Sequence, residues 1–468
     1  MPNDKLTAQN YEVGSTHART FAESVPAFAS GTFTPRDMLE ECLAVIDTRE
    51  SDVKAWVELN AELAKQQADA STARWREGRQ LSPIDGMPVG IKDLLETRDM
   101  PTQMGCEAFR GAFPKRDNAI VWALRQAGAV IVGKTVTTEL GGAHPGPTKN
   151  PWNLAHSPGG SSSGSAAAVA AGMVPVAVGT QVGGSIIRPA SFCGNWAIKP
   201  SQGAVHRGER QATTMSTHGT HANSPEDMWT TLRVVAELTG GDPGFPRLSG
   251  PTACPPANRP LTVATLKTEG WDRASDAAKR GISRVAKAIE AAGVTLIGAE
   301  EHPVIEELED RLEGCSELTT TMTAWENQWQ LRNILASNPD GVSDRTKRGL
   351  TVAENLGPSG YERLTRIREQ AKTVFRSLRR DVDVFVTLGS PGPAPQWEGE
   401  SPELSPALWP TGDPVFNTPA SMLGIPAINV PMLSVDGLPL GVQIMGQAGD
   451  DARLASYGRW MAELLAAA

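Results

Sequence analysis

The sequence predicts an α/β fold built as one large domain. Three observations carry that prediction. Amphipathic helical segments alternate with short apolar runs in the amino-terminal part of the chain, the pattern of a sheet flanked by helices. A mostly helical, more polar stretch follows at about 273–380. Strand-like runs then return as DVDVFVTLGS, IPAINVPML and LPLGVQIMG, before a closing helix in DARLASYGRWMAELL.

The elements follow in order. TPRDMLEECLAVIDTRE opens with Thr34 as a cap and Pro35 at the first helical position, and its apolar residues recur at helical spacing. AELAKQQADASTARWREG is a second helix, ended by Gly78. GMPVGIKDLL is a short strand with Lys92 just past its apolar part. RDNAIVWALRQAGAVIVGKT reads as a helix to Gln126, a turn at Gly128 and a buried strand through Val132. In PGGSSSGSAAAVAAGMVPVAVGTQVGGSIIRPA (158–190), Gly/Ser clusters flank an apolar middle. Residues 166–171 form a small-residue helix that can lie close to its neighbours, and 174–178 suit a buried strand. That places a serine-bearing loop at each end, and two such loops can meet at one point.

Composition limits the function classes. The chain has 468 residues and a net charge of −9, with both signs mixed along it. This argues against a nucleic-acid footprint. The five cysteines are widely spaced, with no CxxC or Cys/His cluster, so neither a disulfide framework nor a zinc site is indicated. The amino terminus lacks an apolar signal region and no apolar run is long enough to span a membrane. The expectation is a soluble, reduced, cytoplasmic protein.

Two motif matches are rejected. GAVIVGKT (128–135) fits the phosphate-loop pattern literally. Its variable positions are themselves a strand, whose N–H groups are committed to a sheet and cannot wrap a phosphate. GSSSG (160–164) fits the nucleophile elbow centred on Ser162. The elbow needs an apolar strand directly before it, and NLAHSPG is none. This disfavours an α/β-hydrolase site pairing Ser162 with His206, His218 or His221.

A serine needs a base to become a useful nucleophile. The seven histidines sit in polar or turn-like sequence and read as surface or hydrogen-bonding residues. A lysine can serve if burial and nearby positive charge keep its amine neutral, well below its usual pKa of about 10.4. Lys92 emerges from an apolar strand and meets that requirement; the plainer reading is a surface lysine paired with Asp93. A second serine can relay the proton, and Gly183-Gly184 before Ser185 lets backbone N–H groups approach a carbonyl oxygen.

These residues resemble the amidase signature family, whose members use a Ser–cis-Ser–Lys triad. The Gly/Ser block is PGGSSSGSA at 158–166, the nucleophile segment GGSI at 183–186, and the lysine segment PVGIKD at 88–93. AGAVIVGKT, TGDPVFNTPASMLGIPAINVP and GLPLGVQIMG extend the likeness over most of the chain. The resemblance implies a single domain over 1–468, with a mixed β-sheet covered by helices on both sides. It implies Ser185 as nucleophile, Ser161 as the bridging serine behind a cis peptide, and Lys92 as base. Val182, Gly183 and Gly184 would form the oxyanion hole, and Ser162, Arg188 and Gly141 would touch substrate. No metal or organic cofactor is implied. The substrate would be a small molecule and the protein a monomer or homodimer, with no nucleic-acid or membrane partner.

There are departures. Many members carry Asp-Thr before the Gly-Gly-Ser and an arginine two residues after it. Here Gln181, Val182 and Ile187 stand there, and the arginine is Arg188. The 139–150 stretch is also short. The sequence looks more like the small-molecule amidases than the amidotransferase subunits. Amides, anilides, carbamates and esters all suit the same machinery. Arg188 either grips a polar group of the substrate or ties its loop to backbone carbonyls or to Asp413. Trp325, Trp329, Trp397 and Trp409 either line an aromatic acyl pocket or pack in the core.

Overall fold

The computed structural model describes residues 10–15, 19–142, 144–209, 213–399 and 409–466. They form one eleven-stranded mixed sheet. Its strands are β1 (Trp56–Leu59), β2 (Pro88–Lys92), β3 (Val130–Thr135), β4 (Val176–Gln181), β5 (Trp196–Lys199), β6 (Thr217–Ala222), β7 (Thr262–Thr265), β8 (Thr295–Ile297), β9 (Val384–Leu388), β10 (Ala427–Val435) and β11 (Leu438–Met445). Their spatial order is β1-β3-β2-β4-β6-β5-β10-β11-β9-β7-β8. β3, β2 and β4 run parallel, β6 pairs antiparallel with β4 and β5, and β9, β7 and β8 run parallel at the far side.

The strand periodicity of two sorts side chains between the faces. Val176 and Val178 of β4 join one apolar cluster with Leu124 and Trp229, from helices Ala119–Gln126 and Pro225–Thr239. Ala177 joins a second cluster with Ala167 and Ala168 of the helix Ser163–Ala170. Helices therefore cover both faces. Thr34 caps Pro35–Val53 in a capping box with Asp37. Ala61–Arg76 ends just before Gly78, whose φ of 63° suits glycine. Within 273–380, Cys315–Ser337 packs along Asp344–Ser377, which is interrupted at Gly357.

The strand Val130–Thr135 contains the apparent phosphate-loop residues Gly133 and Lys134, fully buried in the sheet. Strand β6 is absent from the sequence expectation. Its sequence, THGTHA, has no apolar alternation, yet it is buried throughout between β4 and β5. His218 and His221 are therefore interior residues; of their reading as surface or hydrogen-bonding groups, the surface part is corrected. All five cysteines are free thiols, and no helix among the described residues is long and apolar enough to cross a membrane.

Gly164 sets how closely the helix Ser163–Ala170 meets the sheet. A Cβ there would lie 2.3 Å from both Ala55 O and Val136 N, and Gly164 N donates to Val136 O at 3.0 Å. Backbone cannot step aside as a side chain can. Gly164→Ala should therefore cost the upper end of about 1–3 kcal/mol, read as a lowered denaturant midpoint against wild type.

Candidate active site

Parallel neighbours β2 and β4 end at the same edge of the sheet, where the serine loops also arrive. Ligands commonly bind beyond such strand ends. Lys92 closes β2 and is wholly buried. Its Nζ lies 2.7 Å from Ser161 Oγ, 3.0 Å from Ser162 Oγ, 2.9 Å from Thr180 Oγ1 and 3.3 Å from Thr180 O. These partners are uncharged. Asp93, the expected counter-ion, pairs instead with Lys134 at 2.8 Å. Burial holds the Lys92 pKa well below the ordinary lysine value, and the positive charge of Arg188 adds to that effect. A neutral amine keeps a lone pair that can accept a hydroxyl proton.

The Gly160–Ser161 peptide is cis. Ser162 follows at the start of the helix Ser163–Ala170, and its N–H donates to Ser185 O at 3.3 Å, joining the two serine loops. Ser162 Oγ donates to Thr180 O at 3.2 Å. Ser162 is fully buried, lies against Lys92 Nζ, and is not among the residues lining the cavity.

Ser161, Ser185, Thr180, Val182 and Gly141 all line one cavity of about 850 Å³. Gly141 adopts φ 75°, and a Cβ there would sit 3.7 Å from Ser161 Oγ. The amides of Val182, Gly183, Gly184 and Ser185 donate to no group among the described residues. Gln181 fixes this loop. Its Oε1 accepts from Ile186 N (2.8 Å) and Ile187 N (3.0 Å), satisfying the start of the helix Ile187–Cys193. Its Nε2 donates to Ser421 Oγ, which donates to Gly183 O at 3.0 Å. Gly184 is required by closeness: a Cβ would lie 2.6 Å from Asn417 Oδ1. Gln181 is marked in the sequence only as a departure; Thr180, Asn417 and Ser421 lie in segments that carry the resemblance, but nothing in those segments singles them out.

Arg188 is 5% exposed and does not line the cavity. It donates to Gly160 O at 2.7 Å, to Thr411 O at 3.0 Å and to Thr411 Oγ1 at 3.3 Å. Burial lowers its pKa to about 10, while Asp413 opposes the shift. Of its two readings, the placement is that of a backbone clamp. The four tryptophans are also elsewhere. Trp325 stacks on Tyr361, Trp329 is 68% exposed, Trp397 lies under Lys149, and Trp409 is half-buried outside the lining. The tryptophan on the cavity wall is Trp122.

A lysine held neutral beside two serines, at the edge of a helix-covered mixed sheet, is the arrangement of a serine-dependent amidohydrolase. The comparisons with known proteins agree with that class, and the chain belongs to the amidase signature family. Residues 37–455 match the family described as Amidase. A glutamyl-tRNA(Gln) amidotransferase subunit from Chloroflexus aggregans is 31% identical over 94% of this chain and 95% of its own length. Its counterpart of the same name from Rhodopirellula baltica is 30% identical, over 93% and 94%. Among solved structures, a chain from a vestigial complex bearing on the origins of an s-triazine catabolic enzyme has a TM-score of 0.80 at 26% identity, covering 95% of this chain and 98% of that one. An amidase has a TM-score of 0.80 at 25% identity, covering 95% and 99%. A bacterial aryl acylamidase, 21% identical over 96% of each chain, shares the fold with a TM-score of 0.81.

Lys92 gives a signed pH effect. The amine titrates near 10.4 in the unfolded chain and well below its ordinary value in the fold. Between those values the unfolded chain binds a proton that the folded chain lacks, so the Lys92 contribution to stability rises with pH by up to about 1.4 kcal/mol per unit. Denaturation of wild type and Lys92→Met at about pH 7 and about pH 9 should show wild type gaining on the variant toward that slope. A pH-independent difference would mean that Lys92 keeps its ordinary pKa.

Proposed function

We propose that the protein hydrolyses carbon–nitrogen bonds of small amides through Ser185, Ser161 and Lys92, by way of an acyl-enzyme. The observation that supports this best is a buried lysine amine without a carboxylate, 2.7 Å from a serine that shares a cavity with a second serine. Neutral Lys92 accepts the Ser161 proton as Ser161 accepts that of Ser185. Ser185 Oγ bonds to the carbonyl carbon, and the oxyanion is held by N–H groups of Val182, Gly183, Gly184 and Ser185. The proton stored on Lys92 returns through Ser161 to the leaving nitrogen as the C–N bond breaks. Water, deprotonated by the same relay, then releases the acid and restores Ser185. The steps call on no metal or organic cofactor.

Amides, anilides and carbamates are the proposed substrates, and esters fit the same steps. The proposed setting is cytoplasmic, as a monomer or homodimer acting on a small molecule, without a nucleic-acid or membrane partner. The amidotransferase relatives favour a second reading, in which the chain releases ammonia for a partner protein. Turnover of a simple amide by the purified chain, without ATP or partner, separates the two.

Ser185→Ala and Lys92→Ala should each lower kcat by at least about 10³-fold with the fold intact. A fluorophosphonate should label Ser185. Labelling at Ser162 instead would overturn the assignment. Arg188→Ala should strip partners from the Gly160 and Thr411 carbonyls. It should lower the melting temperature and slow an acidic and an apolar amide by equal factors. A KM rise confined to the acidic substrate would return Arg188 to the substrate site.

A further inference from the structure

His218 has a placement that the triad does not use. It stands directly opposite Thr180 in the β4–β6 ladder. Opposed residues of an antiparallel pair project on the same face, with Cβ atoms about 5 Å apart. Thr180 Oγ1 is 2.9 Å from Lys92 Nζ, and both Thr180 and His218 line the cavity. The imidazole thus faces the substrate space one cross-strand position from the proposed base.

Its protonation follows from burial and neighbours. Burial first, then the Arg207 cation, hold the His218 pKa down to about 3. A neutral imidazole carries one N–H and one lone pair. His218 Nδ1 is sealed without a hydrogen-bond partner. Sealed, orphaned N–H groups are rarer than sealed acceptors, so hydrogen-bond accounting assigns the proton to Nε2, the nitrogen left to meet the cavity. Arg207, the buried cation of the same lining, donates from Nε to Asp242 and from one terminal nitrogen to Thr213 O. Ser216 and Asn327 add further uncharged polar groups to the wall.

We propose that His218 contacts the substrate, donating a hydrogen bond from Nε2 to an uncharged oxygen close to the scissile amide. Preferred substrates then carry a second acceptor, such as an ether, alkoxycarbonyl or carboxamide oxygen, within a few atoms of the bond that is cut. This deepens the amide-hydrolase reading and rests on it. A site built to hydrogen-bond a substrate group discriminates against the analogue that lacks it.

Two isosteric pairs of amides test the assignment. On the acyl side, the 4-nitroanilides of methoxyacetic and butanoic acid differ by one oxygen in place of a methylene. On the amine side, the acetamides of 2-methoxyethylamine and butylamine differ in the same way. The ratio of kcat/KM within each pair is compared between wild type and variants, so intrinsic reactivity cancels. In His218→Phe, the oxygen-over-methylene ratio of at least one pair should fall about tenfold. In His218→Gln, whose side-chain amide reaches the Nε2 position, it should stay within about threefold of wild type. Unchanged ratios in a folded His218→Phe would overturn the proposal. Should that variant not fold, His218→Asn, which carries a donor only to the Nδ1 end, is read the same way. Absence of turnover of all four amides by wild type would overturn the amide-hydrolase reading as well, which keeps the two failures distinct.

Discussion

A lysine amine enclosed without a carboxylate must find its partners among uncharged oxygens, and the surroundings of Lys92 follow from that requirement. Ser161, Ser162 and Thr180 supply them. An ammonium in the same cage would carry a desolvation penalty of several kcal/mol with no counter-charge to offset it, so the group gives up its proton instead. Arg188 sharpens the effect by placing a second positive charge nearby. The contrast lies one strand away. Lys134 of β3 is equally buried but pairs with Asp93. Burial lowers the pKa of both lysines, but at Lys134 the Asp93 carboxylate opposes the shift, whereas at Lys92 no carboxylate does.

The loops that deliver the serines are held by backbone contacts more than by side-chain bulk. Ser162 N reaches Ser185 O, and Arg188, beyond the second loop, reaches back to Gly160 O in the first. Each loop therefore fixes the other. Gln181 and Ser421 hold the 182–185 turn from beneath, which leaves its amides free to face outward. Gly164 and Gly184 let backbone and side chains approach where a Cβ could not fit. The geometry around the serines is thus a property of the whole layer.

Much of the architecture is legible in the sequence, because buried parallel strands are short apolar runs and surface helices carry clear caps. Thr34-Pro35 and the runs around β2, β3 and β4 show this directly. The positions of Lys92, Ser161 and Ser185 are legible because chemistry concentrates in short glycine- and serine-rich motifs. β6 is not legible: THGTHA fills a central strand with polar residues, so no hydropathy pattern marks it, and its two histidines read as surface or hydrogen-bonding groups. The partners of Arg188 are equally hidden, since Thr411 lies far along the chain and is met only through the fold. The tryptophans mislead because size and aromaticity do not say which way a side chain faces.

The groups around Lys92 come from the sheet and its adjoining loops, whereas Thr323, Asn327 and Gln330 of the cavity wall come from the helix Cys315–Ser337. That helix touches the rest of the rim through separate contacts, among them Glu326 with Thr214 N and Oγ1. Inheritance can act on the two parts at different rates. Drift along one helical face would re-tune which molecules are admitted while leaving the proton relay untouched, so descendants of one ancestral scaffold can diverge in diet without relearning their chemistry.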